Sequence, residues 1–304
     1  MDLYWPDRPR NLVSYAYFAG WDPEKFQRLG GDLDILVDSG AFTAFTKHRV
    51  INLESYITWL RRMAPVVSIA ISLDVIGDWK ATRRNHEAME DALGGVVHLL
   101  PAWHLGSPVE ELHRLCSTYP YVAIGGCVPY ARRPRVLMAH LTRAHRVAAE
   151  HGTLLHGLGI TGRTSMTALP WTSVDSSSYA QVHMYGQIDL ADPNGHMHGF
   201  NYGQHLTMEE RRLCRMYGLD PSRVEAKDYA LVGKTGQLGR DERKASLLAS
   251  ARSSLTQEGF LRRKHGRDLK IYFASGTQEW YFTTLIEAHT LGNPFAALPE
   301  RQAS

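Results

Sequence analysis

Residues 33–42 read LDILVDSGAF, a short apolar run that ends in an aspartate and a turn of small residues. Residues 66–74, VVSIAISLD, repeat the arrangement with a longer apolar run and another terminal aspartate. Runs so nearly continuous in apolar residues are typical of strands that are buried on both faces of a parallel sheet. The sequence therefore predicts an α/β fold in which carboxylates stand at the ends of buried strands.

Eight such runs alternate with amphipathic segments along the 304 residues. The predicted strands are 12–18, 33–38, 66–74, 97–103, 121–126, 153–159, 171–175 and 269–275. The predicted helices are 52–63, 79–93, 108–118, 133–150 and 277–291. Ser107 is the expected N-cap of the third helix, and Gly152 is expected to end the fourth. This alternation predicts a (β/α)8 TIM barrel, with a doubly wound open sheet as the alternative.

The segment between the seventh and eighth strands, 176–268, breaks this rhythm. We interpret it as a basic, partly helical insertion within one catalytic domain that spans 1–304, with helices at 207–217 and 240–254. The formal net charge is +3, but residues 211–270 hold 15 Lys and Arg against 7 Asp and Glu, a balance of +8, and the rest of the chain sums to −5. The basic segment indicates either a polyanion-binding surface or a solvated helical face.

Other features argue against several classes of protein. Cys116, Cys127 and Cys214 form no CxxC pair, so neither a disulfide framework nor a cysteine-built zinc site is expected. The sequence MDLYWPDRPR at 1–10 lacks the apolar core of a signal peptide, and no apolar run reaches the roughly 18 residues of a membrane span. Neither GxGxxG nor GxxxxGK[ST] is present. We therefore expect a cytoplasmic protein without membrane contact.

Three aspartates follow three different predicted strands: Asp38, Asp74 and Asp175. In a parallel barrel the active site lies at the C-terminal ends of the strands. A carboxylate there costs free energy unless it is paired, hydrated or used chemically. One such aspartate could equally cap the next helix, but three on separate strands predict a reaction centre.

Glycines end two further predicted strands, at Gly125-Gly126 and at Gly157 with Gly159. Where side chains are missing, backbone can approach a planar ligand in a flat slot; tight turns are the alternative. Two carboxylates that face such a slot fit glycosyl transfer, because one can attack the anomeric carbon while the other handles protons at the leaving group.

Taken in order, these motifs resemble those of the tRNA-guanine transglycosylases, which exchange guanine for a 7-deazaguanine in the queuosine and archaeosine pathways. The resemblance covers roughly residues 33–180. Asp38-Ser39-Gly40-Ala41-Phe42 is similar to the family's DSGG-type motif, Gly125-Gly126 to its GG loop and Gly157-Leu158-Gly159 to its GVG-type segment. The resemblance implies a (β/α)8 barrel in which Asp175 is the nucleophile, Asp38 the general acid/base and Asp74 the base-recognising carboxylate. The residues expected to complete the base pocket are Ser39, Trp103, His104, Gly125, Gly126, His156 and Gly157.

Departures from the family pattern point to DNA rather than tRNA. His104 stands near the position of the family's base-binding Gln, and His156 replaces a Met. The family's CxCxxC…His zinc site, which supports tRNA binding, has no counterpart in the sequence, and an appended RNA-binding domain is not expected. These losses resemble the phage and bacterial branch that inserts 7-deazaguanine derivatives such as preQ0 into DNA to evade restriction. DNA is therefore the expected polymer, and tRNA is the alternative.

Partners and metals follow from the remaining polar residues. Two clusters are expected to neutralise phosphates: Arg132, Arg133 and Arg135 after the fifth strand, and Arg262, Arg263 and Lys264 in the basic segment; solvated surface is the alternative for each. No cofactor is expected, with a zinc site built from histidines (His196, His198 and His205, with His183 close in sequence) as the alternative. Members of the family often dimerise, so a homodimer is a further expectation.

Two other classes of function remain open. A barrel hydrolase of a small glycoside or nucleoside would use the same carboxylates without a polymer, and the basic segment would then be accidental. A catalytically inactive nucleic-acid-binding barrel would need none of the three aspartates, all of which are present.

Overall fold

The computed structural model describes residues 8–29, 32–160, 162–180, 186–227, 239–266 and 268–295. The chain divides into two compact units, the first made of Met1–Ser176 and Arg267–Glu279 and the second of Ser177–Gly266 and Trp280–Ser304. Within the described ranges, none of the helices combines the length and the apolar character that crossing a bilayer requires.

Strands and helices alternate through the first unit. The strands of the described residues are β1 (Arg10–Ser14), β2 (Asp34–Asp38), β3 (Ile69–Ile71), β4 (Leu99–Leu100), β5 (Ala102–His104), β6 (Tyr121–Gly125), β7 (Leu154–Gly157), β8 (Ser173–Ser176), β9 (Gln187–Ala191), β10 (Met197–Asn201) and β11 (Lys270–Ala274). The helices are α1 (Tyr15–Phe18), α2 (Pro23–Gln27), α3 (Ala41–Thr46), α4 (Leu53–Met63), α5 (Trp79–Leu93), α6 (Val109–Thr118), α7 (Pro134–His151), α8 (Arg163–Ala168), α9 (Met208–Met216), α10 (Pro221–Val224), α11 (Arg240–His265) and α12 (Glu279–Leu291).

Nine strands of the first unit form one parallel sheet in the order β4-β3-β2-β1-β11-β8-β7-β6-β5. The two edge strands, β4 and β5, are separated in sequence only by Pro101. Backbone hydrogen bonds continue on both sides of this break, from Ser72 N–H to Leu100 O (3.0 Å) and from Ala123 N–H to Pro101 O (2.8 Å). The sheet is therefore nearly closed and is compatible with the predicted (β/α)8 barrel. A doubly wound sheet would reverse its strand order at a switch point, and this order does not.

The inner face of this sheet is apolar in its middle and polar at its ends. Its apolar layer consists of Leu12, Leu36, Ile69, Ile71, Leu100, Ala102, Tyr121, Ala123 and Tyr272. Residues two apart on a strand share a face. The residues two positions beyond Leu12, Leu36 and Ala102 are Ser14, Asp38 and His104, so the periodicity that buries the core carries these polar side chains to the C-terminal end of the sheet.

The second unit contains an antiparallel hairpin and most of the basic segment. Strands β9 and β10 pair from Gln187 with Asn201 to Ala191 with Met197. The turn at 192–195 reads DPNG, and its Gly195 has φ 72°. One face of the hairpin packs into a core that includes residues of α9, α10 and α11: Ile188, Leu190, Phe200, Leu213, Tyr217, Val224 and Ala249.

The first predicted strand, 12–18, is wrong in its second half. Strand β1 ends at Ser14, and Tyr15 begins helix α1. Phe18 in this helix is fully buried, and its ring centroid lies 4.8 Å from that of Trp21. Strand and helix are buried in succession, so the apolar run continues across the boundary and does not mark it.

Other boundaries are also corrected. Proline at 101 interrupts the predicted strand 97–103, because it lacks the N–H that a ladder requires. Ser107 is not an N-cap: α6 begins at Val109 with Pro108 in the cap position and no side-chain cap bond. Gly152 does end α7, in the left-handed conformation at φ 69°. The helix expected at 207–217 is present as α9. The helix expected at 240–254 is present as α11 but continues to His265, and β9 and β10 are not among the predicted elements.

Candidate active site

The three predicted aspartates lie in the first unit, and the charges of Asp74 and Asp175 act on Asp38. Asp38 is the last residue of β2, Asp175 lies in β8, and Asp74 stands three residues beyond β3. The charges of Asp74 and Asp175 are close enough to Asp38 to raise the pKa of its carboxyl group. Three strand ends thus bring their carboxylates into one group.

Asp38 is poised to exchange a proton near neutral pH. Burial is the main cause that raises the pKa of its carboxyl group, and the charges of Asp74 and Asp175 add to it, so that the pKa rises from 3.8 to about 7. The N–H of Gly40 donates to Oδ2 at 3.0 Å, which favours the ionised form and opposes part of the rise. The side chain remains partly exposed, so a ligand can reach it. A group with these properties suits general acid/base catalysis.

Asp74 is held at both of its oxygens. Ser39 Oγ donates to Oδ1 at 2.7 Å, and His104 Nε2 lies 2.9 Å from Oδ2. Ser39 is fully buried, so it positions Asp74 from behind rather than lining the pocket. A carboxylate oxygen has two lone pairs, and each oxygen of Asp74 can therefore accept a further hydrogen bond from a ligand.

Asp175 is oriented by a backbone amide and faces a buried histidine. The N–H of Gly159 donates to Oδ1 at 2.8 Å. His156 Nε2 lies 3.4 Å from the same oxygen, without the geometry of a hydrogen bond. His156 is 0% exposed, so it acts on Asp175 rather than on a bound base. Oδ2 of Asp175 takes part in neither contact.

A chain of buried polar groups continues from His156 into the sheet interior. His156 Nδ1 lies 2.5 Å from Ser173 Oγ, which is also hydrogen-bonded to the hydroxyl of Tyr121. All three side chains are buried. When Tyr121 donates to Ser173 and Ser173 donates to Nδ1, the imidazole proton is left on Nε2, the atom that faces Asp175. The chain thus fixes the orientation of the ring beneath the carboxylate.

The predicted glycines fall into two groups. A Cβ atom at Gly125 would lie 3.0 Å from His104 Cδ2, and one at Gly126 would lie 3.0 Å from the backbone nitrogen of Leu105. These two positions therefore keep backbone close to the pocket residue His104. A Cβ at Gly157 would instead lie 2.6 Å from Cγ1 of Ile160 and 3.0 Å from the ring of Trp171. Gly157 is thus required by packing beside β7.

Trp103 does not join the aspartates. It lies next to His104 on β5, so the two side chains point to opposite faces of the sheet. The Trp103 indole N–H donates to the carbonyl of Pro108 at 3.1 Å, and its ring lines a small cavity together with Trp79 and Glu111. The structure therefore places Trp103 against the helices outside the sheet.

The two predicted phosphate-binding clusters belong to different units. Arg132, Arg133 and Arg135 are exposed at the start of α7 in the first unit. Arg262, Arg263 and Lys264 lie in the last turn of α11 in the second unit. Arg262 forms an ion pair with the buried Glu258 at 2.9 Å, whereas Arg263 and Lys264 are exposed. Arg262 thus offers less free charge to a phosphate than its two neighbours.

The described histidines of the alternative zinc site face carboxylate side chains. His196 and His198 both face Asp192, at 3.3 and 3.6 Å, and His205 faces Glu225 at 3.1 Å. Across the described part of the chain, no group of three or more His, Cys, Asp or Glu side chains is arranged to hold a metal ion. His183 lies outside the described residues.

Sequence reasoning missed two residues beside the aspartates. Tyr56, from α4, donates to the carbonyl of Ile71 at 2.9 Å, and burial with the charges of Asp38 and Asp74 raises its pKa well above the ordinary value. Cys127 follows Gly126, and burial together with the charge of Asp175 raises the pKa of its thiol to about 12. A thiol of this kind stays protonated and is a poor nucleophile. Adjacency to the glycine pair could have drawn attention to Cys127, whereas nothing in the sequence distinguishes Tyr56.

Replacing Gly40 by alanine is expected to destabilise the fold by about 3 kcal/mol, or roughly 6–12 °C in the unfolding midpoint. Gly40 has φ 81°, and an added Cβ would lie 2.6 Å from Ala16 Cβ and 2.9 Å from the Ala16 nitrogen. Gly77→Ala is the matched control, because Gly77 has φ 83° and nothing within 4 Å of the added atom. We expect it to cost only about 1 kcal/mol. Equal losses in the two variants would show that the close approach at Ala16 does not matter.

The raised pKa of Asp38 predicts a pH-dependent stability. Asp38 binds its proton more tightly in the folded state than in the unfolded state. Its contribution to the free energy of unfolding is therefore unchanged below about pH 4 and becomes steadily less favourable as the pH rises to about 7. Asp38→Asn removes this titration. The unfolding free energy of the variant, taken relative to that of the wild type, should therefore rise by about 2–3 kcal/mol when the pH is raised from 5 to 8. Urea titrations at the two pH values measure this difference. A stability difference between the variant and the wild type that stays the same at both pH values would contradict the raised pKa of Asp38.

Neither a comparison with models of protein families nor a search of curated proteins found a match to this chain.

Proposed function

We propose that this chain is a pentosyltransferase that replaces guanine in DNA by a 7-deazaguanine derivative such as preQ0, through a covalent aspartyl-glycosyl intermediate. The observation that supports it best is the grouping of Asp38, Asp74 and Asp175, with a pKa of about 7 on Asp38. A carboxyl group whose pKa lies near 7, with a second carboxyl group close to it, is the combination that double displacement at a sugar carbon needs. The proposal assumes a (β/α)8 barrel that carries 176–268 as an insertion.

In the first half-reaction Asp175 attacks C1′ of a deoxyguanosine that has left the base stack. The bond from C1′ to N9 breaks, and Asp38 gives its proton to the departing guanine. Ester formation removes the charge of Asp175, which is one cause of the raised pKa of Asp38. The proton thus becomes easier to release at the step that requires its transfer.

In the second half-reaction the 7-deazaguanine enters the same slot. The ionised Asp38 takes the N9 proton of the new base, N9 attacks C1′, and Asp175 departs as a carboxylate. Both carboxyl groups return to their starting states, so no oxidant, reductant or metal is needed to balance the exchange. Single-stranded or already distorted DNA lowers the cost of extruding the base, which is a few kcal/mol in a duplex.

Base recognition falls to Asp74 and the glycine pair. Asp74 accepts hydrogen bonds from N1 and the exocyclic amine of the base, and the N–H of Gly126 donates to O6. His104, 2.9 Å from Asp74, holds the carboxylate in place. The exposed Arg132, Arg133 and Arg135 supply positive charge for the DNA backbone.

A base-exchange assay tests the proposal. The protein is incubated with radiolabelled guanine and, separately, with double-stranded DNA, single-stranded DNA and bulk tRNA, and incorporated label is counted against an Asp175→Ala control. We expect incorporation into DNA alone. Incorporation into tRNA alone would replace DNA by tRNA as the polymer. Failure of guanine and then of preQ0 to enter any polymer would oppose base exchange and favour a hydrolase or a binding protein.

A further inference from the structure

The exposed aromatic side chains of the described residues are concentrated on the two helices that directly follow strands β1 and β2. They are Tyr17 (53% exposed) on α1, and Phe42 (48%) and Phe45 (57%) on α3. We call these three residues the aromatic ridge. The other large apolar side chains that are exposed in the described ranges are aliphatic. Exposed rings that cluster rather than scatter indicate an interaction surface.

The two helices of the ridge are adjacent and adjoin the site. Helix α3 begins at Ala41, three residues after Asp38, and its N-terminal Gly40 approaches Ala16 of α1 so closely that a Cβ would not fit. Phe42 and Phe45 are three apart on α3 and so lie on neighbouring positions of one helix face. Lys47, just after α3, places its Nζ 5.1 Å from the centre of the Tyr17 ring. A single surface thus extends from both helices towards Asp38.

Two exposed cations follow the ridge residues of α3 in the sequence. Residues 39–53 contain Lys47 and Arg49 and no Asp or Glu. Both cations are exposed, and no carboxylate within the described ranges forms an ion pair with either. Rings with uncompensated cations beside them suit a polyanion that carries stackable planar groups, because each base offers a face to a ring and each phosphate a charge to a cation.

From this surface we infer that the aromatic ridge, with Lys47 and Arg49, binds unpaired bases of a single-stranded nucleic acid next to the reaction centre. The inference rests on the proposed function and deepens it by naming the form of the polymer. Bases in an intact duplex are already stacked on one another and leave no faces for the rings. A strand whose bases stack on the ridge is held unpaired where a nucleotide must reach Asp38 and Asp175.

Binding by the full-length protein tests the ridge apart from catalysis. Fluorescence anisotropy measures the Kd for a labelled single-stranded oligodeoxynucleotide and for the same sequence as a duplex. We expect the single strand to bind more tightly. Phe45→Leu should weaken that binding about 10-fold, whereas Phe45→Tyr, which keeps the ring, should bind within about twofold of wild type. Wild-type affinity in Phe45→Leu, or equal losses in the two variants, would overturn the inference.

The cations are tested by salt dependence. Removing both in Lys47→Ala/Arg49→Ala should reduce the slope of log Kd against log salt by about 1.4, since each phosphate contact on a single strand contributes about 0.7. Arg84→Ala/Arg143→Ala removes two other exposed cations of the first unit and should leave the slope unchanged. Equal slopes in the two double variants would count against the ridge.

Exchange of labelled guanine, measured on the same samples, separates the two proposals. Exchange that depends on Asp175, combined with wild-type binding in Phe45→Leu, would reject the proposed role of the aromatic ridge and support the proposed function. Single-strand binding that depends on the Phe45 ring, without any exchange, would reject the transglycosylase activity and support the role of the aromatic ridge in binding.

Discussion

Asp175→Asn slows base exchange by at least about 10⁴-fold and abolishes the covalent intermediate, while DNA affinity stays within about twofold of wild type. Asparagine has nearly the shape of aspartate, and its amide oxygen can still accept the N–H of Gly159, now 2.8 Å from Oδ1. The side chain therefore keeps its position but loses the charge that attacks C1′.

The control for Asp175→Asn is the same chemical change elsewhere in the first unit. Asp22 caps α2 by accepting the N–H of Lys25 at 2.8 Å, and asparagine is an equally good cap. Asp22→Asn should therefore exchange bases at the wild-type rate. If Asp175→Asn retained appreciable turnover, the nucleophile would have to be another group.

Asp38→Asn slows exchange by about 10²–10⁴-fold, the range that general acid/base groups contribute. The pKa of about 7 on Asp38 also predicts how the rate of guanine release depends on pH. In the wild type, single-turnover release of guanine should fall about tenfold per pH unit above about pH 7, because only protonated Asp38 can protonate the leaving base. Asp38→Asn should lack this dependence.

A change of leaving group separates Asp38 from Asp175. N7-methylguanine is cationic and departs without protonation, so DNA that contains it should restore rapid base release to Asp38→Asn but not to Asp175→Asn. If both variants recovered, or neither did, the division of roles between the two carboxyl groups would be wrong.

The sequence predicted the site best where strand periodicity applies. Asp38 is two positions beyond the inner residue Leu36, and Asp175 follows Ser173 on the same face. The same rule separates Trp103 from His104, so alternation along β5 could have removed Trp103 from the predicted pocket. Strand periodicity does not predict how deeply a side chain is buried. Ser39 and His156 are both fully buried, so they position the aspartates and do not line the pocket.

Boundaries were harder to predict where burial continues through a change of structure. The run LVSYAYF crosses from β1 into α1 without a polar break. The hairpin of the second unit did carry a signal, since DPNG at 192–195 is a strong turn sequence between alternating residues. Contacts such as that of Tyr56 with the aspartates depend on how a helix packs on the sheet, which no local pattern encodes.

The central claim, that Asp175 becomes covalently joined to DNA, is tested most directly by trapping that species. The protein is mixed with guanine-containing single-stranded DNA without free base, denatured rapidly, digested and analysed by mass spectrometry. The proposal predicts a deoxyribosyl adduct on Asp175 that disappears when preQ0 or guanine is added before quenching and is absent from Asp175→Asn. Base exchange without any adduct, or an adduct on a different residue, would contradict it.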